Sequence, residues 1–120
     1  MKYVLMYTNR PDLDEAVPPE RIQEVYGQIF GWFERNAAVI TDAGAELQEV
    51  TTATTVKANG DGKPVVVDGP FNEAKEVIGG FSVIDVPDLD AAIELAKTWP
   101  SLDFPGVAVE IRPMVDHSGG

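Results

Sequence analysis

The side chains best suited to chemistry crowd one stretch, Asp68 to Phe81 (DGPFNEAKEVIGGF), set between two apolar runs that read as strands. Asp68, Glu73, Lys75 and Glu76 are charged here, and Arg112 lies on the last strand-like segment. If these groups share a cavity, Lys75 and Arg112 can hold a polar or anionic ligand with Glu73 beside them. Asp68 or Glu76 then serves as the catalytic base, with its pKa tuned by burial. Tyr7, in the first apolar run, could reach the same space. Each residue also has a structural reading. Asp68 can accept from backbone amides in an Asx-type turn, Gly69 can supply positive φ, Pro70 fixes the next dihedral, and Phe71 follows as a core anchor. An exposed Glu73–Lys75 pair would stabilise by only about 0 to 1 kcal/mol, and Tyr7 in an apolar strand reads as packing. The readings part on one point: the charges either converge on a pocket or pair among themselves.

Composition narrows the chemistry further. Twenty acidic against nine basic residues give a net charge of -11, which repels a phosphate backbone and speaks against nucleic-acid binding. With no cysteine, thiolate chemistry and disulfides are excluded, and a single His argues against a zinc site, so no metal is expected. No sequence feature suggests a haem, flavin or nucleotide cofactor. The Asn59-Gly60-Asp61-Gly62 run lacks a following Gly-Lys-Ser/Thr and reads as a hairpin turn rather than a phosphate loop. No apolar run approaches a membrane span or a signal-peptide core, so the expected compartment is the cytoplasm.

Several elements must position these groups. Lys2 to Thr8 is apolar on both alternating faces, as in a strand covered on both sides. Asn9 to Val17 reads as a loop. Pro18-Pro19-Glu20 opens a helix whose stripe is Ile22, Val25, Tyr26, Ile29, Phe30, Phe33 and Ala37, with Gly27 and Gly31 placed to let it approach the sheet. Trp32 beside that stripe reads as packing. After a turn at Asp42-Ala43-Gly44, strands are expected over Ala45 to Val50, within Thr51 to Lys57 and over Lys63 to Val67. Gly79-Gly80 marks a bulge or a close backbone approach, and Gly80 to Val86 is a strand. Asp88 caps a second helix with Leu89, Ala92, Ile93 and Ala96 inward, which ends at Trp99-Pro100. Val107 to Met114 is the last strand, with Glu110 and Arg112 on its second face.

That order predicts an α+β fold: a ferredoxin-like split βαβ sheet with an inserted hairpin and two helices on one face. The apolar second face needs a cover, which a homodimer supplies. The chain reads as one domain, residues 1–115, with a flexible tail at 116–120 that holds His117.

The signature Asp68-Gly69-Pro70-Phe71, then Glu73, Lys75-Glu76, Gly79-Gly80-Phe81 and finally Glu110-x-Arg112-Pro113, resembles the DGPF subgroup of the YCII-related family over Met1 to about Val115. The resemblance implies a ferredoxin-like dimer with an α+β barrel at its centre, acting as a small enzyme or as a binder of a small polar or anionic molecule. As an alternative it implies a non-catalytic regulatory module partnered with an extracytoplasmic-function sigma factor. Some relatives carry a His–Asp pair suggested as an acid/base site. This chain has no His between Met1 and Asp116, so that pair is not carried over.

Overall fold

The computed structural model describes residues 1–14, 16–70 and 76–117. Six strands and three helices are present among them: β1 Lys2–Asn9, α1 Pro11–Asp14, α2 Pro19–Arg35, β2 Ile40–Glu46, β3 Thr54–Lys57, β4 Val65–Asp68, β5 Val77–Asp85, α3 Leu89–Ala96 and β6 Ala108–Pro113. Four strands form an antiparallel sheet in the order β2-β5-β1-β6. Strand β5 thus lies between β1 and the strand that follows its helix, which is the split βαβ arrangement of a ferredoxin-like α+β fold.

Alternation on β1 decides the two faces of this sheet. Tyr3 and Leu5 are buried under the helices with Ile84, Trp32, Ala92 and Trp99, and Tyr7, Val109 and Ile111 pack against that cluster. Val4 pairs with Val83 and Arg112, and Met6 with Phe81 and Glu110, so these side chains share the opposite face. Phe81 and Ile78 are exposed, and Arg112 donates to Glu110 at 2.9 Å.

The helix ends follow from local chemistry. Pro19 occupies the first turn of α2, where a missing N–H costs nothing, with Glu20 beside it and Arg35 in the last turn. At α3 the Asp88 carboxylate accepts from the Ala91 amide at 2.9 Å, the expected cap.

Several expectations need correction. The Asn9 to Val17 loop contains the short helix α1. Phe30 keeps the spacing of the stripe but is 71% exposed, and Gly27 faces open space while Gly31 meets only the Arg35 side chain, so neither glycine brings α2 closer to the sheet. The second strand starts five residues earlier than Ala45, at Ile40, because Asp42-Ala43-Gly44 forms a bulge inside the strand rather than a turn before it. The Asp42 carboxylate accepts from the Gly44 amide at 2.8 Å, and Gly44 takes φ 75°. Val50–Thr52 forms a single 3₁₀ turn before β3. The Gly79 bulge is present: Tyr7 pairs with Gly80 and Thr8 with Ile78, which leaves Gly79 unopposed.

Strands β3 and β4 form their own two-stranded sheet, turned by the Asn59 to Gly62 run, where Asp61 accepts from the Lys63 amide at 2.8 Å. Among the described residues this hairpin stands off from the main sheet. The Cα radius of gyration is accordingly 16.6 Å, against about 14 Å for a compact chain of this length.

Candidate functional site

Under α2 the sheet leaves a cavity of about 800 Å³. Tyr7, Gly79 and Gly80 border it from the sheet, Tyr26, Phe30 and Phe33 from α2, and Trp99 and Phe104 from the segment after α3. Its wall is mainly apolar and aromatic, as ligand sites generally are, with a few polar groups.

The floor is held by an aromatic cluster. The Tyr7 ring stacks on Trp99 with centroids 4.0 Å apart and planes 13° from parallel. Trp99 in turn meets Trp32 edge-on at 5.1 Å, and Trp32 meets Phe33 edge-on at 5.2 Å. Trp32 Nε1 donates to Thr98 Oγ1 at 2.8 Å, which fixes the indole of α2 against the end of α3. Trp99 leaves the helix with extended backbone because Pro100 follows it, and so places its ring under Tyr7.

Two phenols stand in the wall, and each is held by a hydrogen bond. Tyr7 Oη donates to Ser82 Oγ at 2.9 Å, and Ser82 Oγ donates to the Ala43 carbonyl at 2.8 Å. Ser82 is wholly buried, and this relay satisfies it. The Ala43 carbonyl is available because the β2 bulge turns it toward β5. Nearer the solvent, Tyr26 Oη donates to Glu46 Oε1 at 2.6 Å and ties α2 to the edge strand. Burial pushes the Tyr7 phenol above its ordinary value of 10.0, and the hydrogen bond to Glu46 does the same for Tyr26.

The Tyr7 shift has a sign that can be checked. Its proton is held more tightly in the folded state than in the unfolded one, so this contribution to stability is complete below about pH 10 and is lost as pH rises beyond it. Denaturant midpoints should therefore fall above about pH 10, and Tyr7→Phe should flatten part of that fall. An unchanged slope in the variant would contradict the assignment.

Of the side chains singled out in the sequence, Tyr7 lines the cavity. Asp68 ends β4 on the hairpin, exposed and paired across the ladder with Thr54. Glu76 is exposed near Arg10. Arg112 lies on the face opposite Tyr7. The described geometry therefore does not bring Asp68, Glu76 or Arg112 to the Tyr7 cavity. Glu73 and Lys75, like Phe71, lie outside the described residues. Among the described residues the cavity wall has Glu46 and Glu49 but no lysine, arginine or histidine, and no group of three or more His, Asp or Glu side chains could hold a metal ion.

Ser82, Tyr26, Glu46 and Trp99 are the site residues that sequence reasoning passed over. Ser82 had a signal: a hydroxyl in the middle of the apolar strand GFSVIDV must find a buried partner.

The YCII-related domain matches residues 1–115. The chain belongs to the YCII-related family. An uncharacterized protein of Rhizobium meliloti (strain 1021) is 34% identical over 76 residues, which cover 63% of this chain and 60% of that relative. The chain thus spans less than two thirds of the length of the curated relative it matches. Among solved structures, the 5-chloro-2-hydroxyhydroquinone dehydrochlorinase of Burkholderia phenoliruptrix AC1100, in complex with 2,5-dihydroxybenzoquinone, aligns with a TM-score of 0.56 at 16% identity, covering 99% of this chain and 98% of that one. At that identity the likeness shows this YCII-related chain to share the fold. No helix among the described residues is long and apolar enough to cross a membrane.

Proposed function

We propose that this YCII-related protein binds a small ring-bearing molecule in the cavity between α2 and the sheet, with its polar end at Tyr7–Ser82 or Tyr26–Glu46. The observation that carries this reading is the cavity itself: about 800 Å³ of aromatic-walled space whose floor ends in a hydrogen-bonded phenol. Flat aromatic surfaces favour a flat ligand through stacking and apolar burial. The ring ligand of the dehydrochlorinase neighbour is in keeping with such a molecule. An anionic ligand held by Lys75 and Arg112, as the signature suggested, finds less support, because Arg112 lies across the sheet and carboxylates border the described wall.

A thermal-shift and calorimetric screen of small ring compounds tests the reading, with 2,5-dihydroxybenzoquinone as the first probe. Binding should occur and should weaken about tenfold or more in Ile22→Trp, which fills the cavity from α2. No binder in the panel, or a binder indifferent to Ile22→Trp, removes the cavity from consideration. The sigma-factor alternative would use the acidic exterior and leave this screen empty.

The DGPF signature favours placing the chain in that subgroup, and a homodimer belongs to the same proposal. Phe81 and Ile78 are exposed on the open sheet face, and the Glu110–Arg112 pair carries both signs of charge, which a second copy would match across a two-fold axis. Sedimentation should show a dimer, which Phe81→Asp weakens; a monomer at high concentration would count against it.

A further inference from the structure

We propose that the cavity selects ligands that donate hydrogen bonds: a neutral ring molecule whose hydroxyl or amine protons go to the Tyr7 and Tyr26–Glu46 oxygens, in preference to an ether of the same shape or an anion. This rests on the ligand-cavity reading above and adds the direction of its hydrogen bonds. Direction follows from counting protons. A serine hydroxyl has one proton, and Ser82 gives its own to the Ala43 carbonyl, which can only accept. The bond between Tyr7 and Ser82 therefore runs one way, with the phenol donating. What Tyr7 keeps for the cavity is a lone pair.

The second end repeats the logic by a different route. The single proton of Tyr26 goes to the Glu46 carboxylate, so the phenol oxygen and the other Glu46 oxygen are acceptors. Glu49 adds another carboxylate to the wall. Asn9, Ser101 and Trp99 carry protons elsewhere in the lining, but the two tyrosine ends offer only acceptors. A ligand that brings acceptors to them meets lone pairs with lone pairs. An unpaired buried polar group costs more than a made hydrogen bond gains, so the mismatch is read as discrimination. A carboxylate ligand adds repulsion from Glu46 and Glu49. Burial, which raises the Tyr7 pKa, keeps that phenol neutral and its proton on the Ser82 path.

The test uses three probes on one ring skeleton: a naphthalenediol, its dimethyl ether and a naphthoate, titrated against the intact protein by calorimetry or tryptophan quenching. The diol should bind about tenfold more tightly than either of the others. Tyr7→Phe should lower diol affinity and leave the ether unchanged. Ser82→Ala, which returns the Tyr7 proton to the cavity, should narrow the diol-to-ether ratio. If the ether binds as well as the diol, or if the ratio is the same in Tyr7→Phe, the donor rule is overturned while the cavity reading stands. If none of the three binds, both are overturned.

Discussion

Gly44→Ala should destabilise the protein by about 3 to 5 kcal/mol, a large part of the 5 to 15 kcal/mol typical of a domain. Two effects add. Gly44 has φ 75°, a conformation that costs an L-residue about 1 to 2 kcal/mol. A Cβ there would also stand 1.7 Å from the Phe81 carbonyl oxygen and 2.6 Å from its carbon, so the β2–β5 ladder would have to open. Opening it moves the Ala43 carbonyl away from Ser82 and releases the relay that orients Tyr7. Gly62→Ala is the control, because Gly62 also has positive φ, 83°, but nothing lies within 4 Å of its Cβ. It should cost no more than about 1 to 2 kcal/mol. Chemical denaturation of both variants decides the matter: equal losses would mean that the close approach to Phe81 contributes nothing.

The same bulge shows what the sequence could convey. Asp42-Ala43-Gly44 has the composition of a turn, and its local chemistry is a turn: the Asp42 carboxylate accepts from the Gly44 amide. Local composition cannot tell whether strand pairing continues on both sides of such a turn, and here it does. By contrast, alternation on β6 sets Val109 and Ile111 on one face and Glu110 and Arg112 on the other, as the structure has them, while β1, apolar on both faces, leaves open which of its faces meets the helices. The pairing register decides it: Tyr7 lies opposite Val109, and Arg112 lies opposite Val4 on the other face. Charge density is visible in a sequence, whereas a cavity made of ordinary apolar residues from distant segments is not. Tyr26 and Phe30 looked like buried stripe residues for the same reason: the stripe continues, but the sheet beneath that part of α2 leaves space.

Trp99→Ala should have a comparable effect and should also reach the ligand. Trp99 is 8% exposed and holds three rings together, stacking on Tyr7 and meeting Trp32 and Phe33 edge-on. Truncating a buried Trp costs about 3 to 5 kcal/mol, the aromatic geometry included in part. The loss removes the surface that holds the Tyr7 ring, so its hydroxyl no longer meets a ligand at a fixed place. Trp99→Phe restores a flat surface beneath Tyr7 and should limit the loss to about 1 to 2 kcal/mol. Denaturation curves give the stability series, and naphthalenediol titration at low temperature, where the Ala variant retains folded protein, gives the affinity series. Both should fall in the order parent, Phe, Ala. A Trp99→Ala protein as stable as the parent would show that the aromatic cluster does not hold the cavity floor. Lost stability with unchanged diol affinity would place the ligand away from Tyr7, because a phenol freed from its stacking partner cannot keep the same geometry for a bound ring.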